Sequence, residues 1–66
     1  MSVLKVIEVL ASSKKSWEDA TATAVKKASK SVKNIKSAWV QDQSVLVSGD
    51  KVKEYRVALK VTFEVN

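Results

Sequence analysis

The chain has no cysteine, no histidine and no proline, and it has a single glycine among its 66 residues. Without cysteine it can form neither disulfides nor thiolate metal sites, and without histidine it lacks the commonest general base and transition-metal ligand. Chains this short rarely bury enough apolar surface to be stable alone and usually add disulfides, a metal or partner subunits. We therefore expect one domain, residues 1–66, that is stabilised by association with further copies of itself.

Acidic residues are also scarce. The chain has 7 Asp and Glu and 12 Lys and Arg, which gives a net charge of +5. A basic surface can attract nucleic acid, acidic ligands or a membrane. However, the basic residues are nearly all lysines, spread along the chain, whereas nucleic-acid modules more often concentrate arginine and aromatic residues on one surface. A solvated basic face is the preferred interpretation, and we expect neither a nucleic-acid nor a membrane partner.

No long hydrophobic run is present. No segment approaches the ~18 apolar residues that a membrane-spanning helix needs. The apolar start of the chain is interrupted by Lys5 and Glu8, which is unlike a secretory signal. We therefore expect a cytoplasmic protein.

The most regular stretch of the chain is its last part, Val52–Val65. Its residues alternate in twos, are rich in β-branched and aromatic types and include no glycine, so they predict one long strand that is buried on one side. The residues of the apolar face are Tyr55, Val57, Leu59, Val61, Phe63 and Val65.

Two further segments precede this strand. Val3–Leu10 is apolar at both alternating sets of positions, which predicts a strand that is covered on both faces.

From Trp17 to about Lys33, apolar residues recur every three or four positions, which predicts a helix with a narrow stripe of alanines and with Ser16 as its N-cap. Lysines crowd the C-terminal half of this helix, where the helix dipole favours positive charge. Asn34 is a suitable residue to end the helix in a left-handed conformation.

The remaining segment, Ile35–Val47, alternates less clearly. We interpret it as a long strand with both faces partly covered and with a bulge near Asp42–Gln43. Ser48–Lys51 contains the glycine and predicts the turn of a hairpin with the last strand. The order is therefore β-α-β-β, an α+β fold. If the first strand runs up, the helix runs down, the second strand up and the last strand down. Antiparallel neighbours then require the strand order 1-3-2, so that the last strand lies in the middle of the sheet and packs on the one helix.

Several short stretches, which together span nearly all of the chain, resemble the dodecin family. They are Lys5-Val6-Ile7-Glu8, Ser16-Trp17-Glu18-Asp19-Ala20, Ala28-Ser29-Lys30, Asn34-Ile35, Trp39-Val40, Tyr55-Arg56-Val57 and Val61-Thr62-Phe63. The resemblance implies a hollow homododecamer in which the sheet face that is not covered by the helix is buried between subunits. It also implies a ligand, because well-studied dodecins bind flavins such as FMN or riboflavin in pairs, stacked on a tryptophan and hydrogen-bonded to a glutamine, and store or quench them without turnover.

The residues at the two flavin positions depart from that pattern. An ungapped alignment over 34–63 places Ser37 where the family has its stacking tryptophan and Arg56 where it has its glutamine. Trp39 lies two residues after Ser37, on the same side of the strand and about 7 Å along it, and is either a displaced platform or interface packing. The guanidinium group of Arg56 offers planar, bidentate hydrogen-bond donors. It either contacts the phosphate or ring of a ligand or forms a salt bridge between subunits. Ser37, Trp39 and Arg56 are the candidate cofactor-binding residues.

The alternative implied by the resemblance is a dodecin that lacks flavin and has a structural role or binds a cation such as Ca²⁺. Carboxylates that a symmetric shell brings together could form a hard-cation site with no linear motif. Asp42 and Glu64 are the candidates for it. No spacing of nucleophiles, bases or carboxylates predicts an active site, and we expect no enzymatic activity.

Overall fold

The computed structural model describes residues 3–65, so the outer bounds of the predicted domain lie outside the described residues. The described chain forms one helix and three strands, and the sheet has the order β1-β3-β2 with both pairs antiparallel. The predicted fold class and strand order are therefore confirmed. The elements are β1 (Val3–Ser13), α1 (Trp17–Ala28), β2 (Ile35–Ser48) and β3 (Lys51–Val65).

The helix begins where the sequence predicts. The Ser16 side chain accepts a hydrogen bond from the Asp19 backbone N–H at 3.0 Å, and Glu18 and Asp19 add negative charge to the first turn. The Trp17 indole N–H donates to the Ser44 carbonyl at 3.0 Å. The start of α1 is thereby fastened to β2.

The helix ends earlier than predicted, at Ala28 rather than near Lys33. The Ser29 hydroxyl donates to the Lys26 carbonyl at 2.6 Å, and the following residues form tight turns. Serine side chains compete for backbone groups in this way, which weakens a helix interior. Asn34 adopts the predicted left-handed conformation, with φ 63°, but it directs the chain from these turns into β2.

The core lies between the alanine stripe of α1 and the apolar row of β3, as predicted. Ala20 and Ala24 pack against Val57, Leu59 and Val61, and all five are buried. Because alanine has a small side chain, the helix axis can approach the sheet closely. The partly buried residues that surround this core are Ile7, Val9, Ala11, Trp17 and Ile35.

The strands differ from the prediction in length and regularity. β1 continues to Ser13, three residues beyond its predicted end at Leu10. The register of β2 against β3 shifts at three places, so that Lys36 and Gln41 are extra residues in β2 and Lys53 is an extra residue in β3. One shift lies beside the predicted bulge at Asp42–Gln43, and the other two were not predicted.

No helix in the described part of the chain is long and apolar enough to cross a membrane.

Candidate functional site

The sheet face that points away from α1, called the outer face below, is the candidate functional surface. The helix covers only the opposite face, and it packs mainly on β1 and β3. Leu4, Val6, Leu10 and Trp39 lie on the outer face with exposed fractions of 54%, 54%, 75% and 74%. An apolar surface of this kind is typical of a contact with another protein or a ligand.

The bulges in β2 decide which of its residues reach the outer face. Strict alternation would place Ile35 on the same face as Ser37 and Trp39. Because Lys36 is an extra residue, Ile35 lies opposite Phe63 on the helix side, whereas Ser37 and Trp39 lie opposite Thr62 and Lys60 on the outer face. Gln41 shifts the alternation again, so Asp42 and Ser44 also lie on the outer face.

Ser37 has hydrogen-bond partners within its own chain. Its hydroxyl shares a short hydrogen bond with the Thr62 hydroxyl, and the Thr62 hydroxyl also approaches the Ser37 carbonyl at 3.2 Å. The pair forms a small polar bridge between β2 and β3. This position offers a ligand no flat aromatic surface.

Trp39 lines a shallow pocket of about 320 Å³ together with Gln41 and Lys60. Lys60 lies between Trp39 on β2 and Glu8 on β1 in the paired register. The pocket thus combines an aromatic surface, an amide and an ammonium group, which suits a planar ligand with polar or anionic edges. Gln41 and Lys60 were not identified from the sequence. The signal for Lys60 was its outward position on the central strand, but Gln41 depends on the bulge.

Arg56 is exposed and lies in a different row of the outer face, between Ser12 on β1 and Ser44 on β2. It lines a separate recess of about 250 Å³. Arg56 and Lys60 are four residues apart on β3, so Arg56 is about 13 Å along the strand from the Trp39 row. One chain therefore brings Ser37 and Trp39 together but does not bring Arg56 to them.

The two candidate cation ligands are also far apart in one chain. Asp42 lies opposite Ala58, and Glu64 is six residues further along β3, which corresponds to about 20 Å. Glu64 has the Lys36 ammonium at 4.0 Å, whereas Asp42 is exposed. Within residues 3–65, no three Asp, Glu, His or Cys side chains are placed to hold a metal ion. A cation site on this face would need carboxylates from more than one copy.

The buried polar side chain of the described region has a structural role. The Ser13 hydroxyl donates to the Asp19 carboxylate at 2.7 Å and accepts from the Lys15 backbone N–H at 2.9 Å. These contacts connect the end of β1 to the first turn of α1. Trp17 and Tyr55 pack edge to face beside this connection, with ring centroids 5.1 Å apart.

Comparisons with known proteins agree with the geometry. A family model described as Dodecin matches residues 3–66. The chain is 42% identical over 64 residues to a protein of Mycobacterium tuberculosis named calcium dodecin, covering 97% of this chain and 90% of that protein. A crystal structure of the M. tuberculosis calcium dodecin, described as calcium chelating with a novel calcium-binding site, matches with 41% identity and a TM-score of 0.85, covering 98% of this chain and 93% of that one. A crystal structure of a T. thermophilus dodecin mutant matches with 27% identity and a TM-score of 0.93, covering 100% and 98%.

Proposed function

Because this chain belongs to the dodecin family, we propose that it assembles into a homododecamer that binds Ca²⁺ between its subunits without catalysing a reaction. The observation that carries the proposal is the 42% identity, over nearly the whole chain, to a protein named calcium dodecin. The candidate flavin positions support the same conclusion, since Ser37 and Arg56 replace the aromatic and amide groups that flavin binding uses in the family.

The exposed apolar residues of the outer face support assembly. Burial of apolar surface contributes about 25 cal/mol per Å², so large side chains such as Leu10 and Trp39, both about three-quarters exposed, gain from contact with another copy. Among residues 3–65, the large side chains that are fully buried are those of Val57, Leu59 and Val61, so the intramolecular core is small. Association provides the apolar contacts that this core lacks. Native mass spectrometry tests this step, and a folded monomer at micromolar concentration would contradict it.

Asp42 is the better of the two candidate Ca²⁺ ligands. Glu64 already faces a lysine, whose charge opposes a cation, and Asp42 has no ion pair within residues 3–65. The basic residues Arg56 and Lys60 lie diagonal to Asp42 in the paired strands, two residues to either side of its partner Ala58. Copies related by symmetry would bring several Asp42 carboxylates to one axis, where hard oxygen ligands suit Ca²⁺.

The test is a thermal unfolding experiment with Ca²⁺ or with a chelator. At a free Ca²⁺ concentration of 100 times Kd, binding stabilises a one-site protein by about 2.7 kcal/mol, so the melting temperature should rise by several degrees. Asp42→Asn should abolish most of this rise, whereas Asp50→Asn in the hairpin turn, which removes the same charge, should retain it. An unchanged melting temperature of the parent protein with both Ca²⁺ and chelator would overturn the proposal.

A second candidate function is flavin sequestration, and the pocket formed by Trp39, Gln41 and Lys60 favours it. Here Trp39 would replace the missing platform at Ser37, and Lys60 would contact the anionic edge of the ring or the phosphate of FMN. The test is quenching of FMN and riboflavin fluorescence. Trp39→Leu should abolish quenching, and the double change Ser37→Trp with Arg56→Gln should create or strengthen it. Unchanged fluorescence with the parent protein at micromolar concentration would exclude this function.

A further inference from the structure

The net charge of the chain comes from the sheet end at Lys5 and Glu64 and from the segment 26–36 that leads to it, together called the basic end below. Its charged side chains are those of Lys5, Lys26, Lys27, Lys30, Lys33, Lys36 and Glu64. Removing these six lysines and one glutamate from the totals of 12 and 7 leaves six basic and six acidic side chains in the rest of the chain. The whole net charge of +5 therefore lies at the basic end.

These lysines come from three separate segments of the fold. Lys5 on β1 and Ile35 on β2 both lie opposite Phe63 of β3, so Lys36 is at the same level of the sheet as Lys5. The Glu64 backbone N–H donates to the Asn34 carbonyl at 2.9 Å, which holds the end of the connection from α1 at this level. The other four lysines lie in the last turn of α1 and in that connection. Lys5 and Lys36 therefore lie at one level of the sheet, and Lys30 and Lys33 lie in the connection that leads from the end of α1 to that level.

The helix dipole explains only part of this arrangement. Lys26 and Lys27 are in the last turn of α1, where positive charge is favoured. Lys30 and Lys33 lie beyond the end of the helix at Ala28, so the dipole does not account for them. All six lysines are exposed, and the one ion pair within residues 3–65 is the 4.0 Å contact between Lys36 and Glu64. The basic end therefore carries a largely uncompensated positive charge.

We propose that the basic end binds the phosphate backbone of a linear polyanion, either single-stranded nucleic acid or inorganic polyphosphate. Lysine is a compact point charge without the planar fork of arginine, so it suits contact with phosphates and not the reading of bases. Residues 26–36 include no aromatic side chain, so that segment provides no platform for stacking bases. Binding is independent of nucleotide sequence and depends strongly on salt. The proposal opposes the expectation of no nucleic-acid partner, which stays a prediction until the experiment below is done, and it does not depend on the Ca²⁺ site.

The test is fluorescence polarisation of a labelled single-stranded RNA of mixed sequence at low salt. The double variant Lys30→Gln with Lys33→Gln should bind about tenfold more weakly. Its control is Lys51→Gln with Lys53→Gln, which removes the same charge from the hairpin end and should change affinity by no more than about twofold. Because each phosphate contact contributes about 0.7 to the slope of log K against log salt for single strands, the first variant should reduce that slope by about 1.4.

Competition with unlabelled polyphosphate distinguishes the two sources of the phosphate chain. Displacement of RNA by polyphosphate supports a site that both polyanions share. If the protein binds polyphosphate but not RNA, the site is assigned to polyphosphate. Equal weakening by both double variants, or no binding of either polyanion at low salt by the folded parent, overturns the proposal. Circular dichroism and native mass spectrometry of each variant confirm that fold and subunit number are unchanged. Polyanion binding by a monomeric protein would contradict the proposed assembly but not this inference.

Discussion

The two faces of the sheet differ in burial along the part of β3 that α1 covers, although the same three strands form both faces. On the helix side, Val57, Leu59 and Val61 of β3 are 0%, 1% and 0% exposed. On the outer face, Leu10 and Trp39 are about three-quarters exposed. A single helix of 12 residues covers only one face, and it covers β2 least. The comparison indicates that the helix side stabilises the subunit, whereas the outer face is available for association and ligand binding.

The largest difference between the faces should appear when the same substitution is made on each. Leu59→Ala should destabilise the subunit by about 3 kcal/mol, because it removes a fully buried side chain and leaves a cavity. Leu10→Ala should have little effect on the subunit itself, because its side chain is already 75% exposed. Urea unfolding at several protein concentrations measures the free energy of unfolding of both variants. The loss of stability caused by Leu10→Ala should vary with protein concentration. Equal and concentration-independent losses would contradict the distinction between the faces.

A charge on the outer face should act on assembly and leave the subunit folded. Leu10→Lys would place an ammonium group where an apolar contact between copies is proposed, and an unpaired buried charge is costly. We expect the proposed dodecamer to dissociate into smaller species with retained secondary structure, as measured by native mass spectrometry and circular dichroism. An intact dodecamer in this variant would mean that Leu10 is outside the contact between subunits.

A smaller effect is expected at the start of the helix that covers the other face. Ser16→Ala removes the side chain that accepts from the Asp19 N–H, and the loss of such an N-cap costs about 1 kcal/mol. Ser29→Ala at the opposite end of α1 serves as the control, since its hydroxyl donates to a carbonyl in an exposed turn. Thermal unfolding compares the melting temperatures of the two variants. A larger decrease in melting temperature for Ser29→Ala than for Ser16→Ala would contradict the role assigned to the N-cap.

The elements and their order were predictable because their signals are local. Alternation in twos identifies β3 from its own residues, and the three- and four-residue spacing of alanines identifies the helix and its buried stripe. The N-cap at Ser16 and the left-handed Asn34 follow from the chemistry of single side chains. The strand order 1-3-2 then follows from the directions of the four elements, since adjacent strands had to be antiparallel.

The candidate site was only partly predictable. Ser37, Trp39, Arg56, Asp42 and Glu64 are all on the outer face, but their separations became known only from the pairing register. Gln41 was missed because its place beside Trp39 depends on a bulge, and a bulge depends on the partner strand as much as on its own sequence. Binding of flavin or Ca²⁺ by any of these residues stays a prediction, which the experiments above test.

The sequence by itself determined the β-α-β-β order, the buried row of β3 and the resemblance to dodecins, because periodicity and capping act over a few neighbouring residues. Only the tertiary structure decided where the helix stops, which β2 residues face outward and how Lys5 and Lys36 come to lie at one level of the sheet. These features arise from contacts between segments that are distant in the chain. Phe63 shows the reason, since its partners Lys5 and Ile35 are 30 residues apart in sequence and lie on either side of it in the sheet.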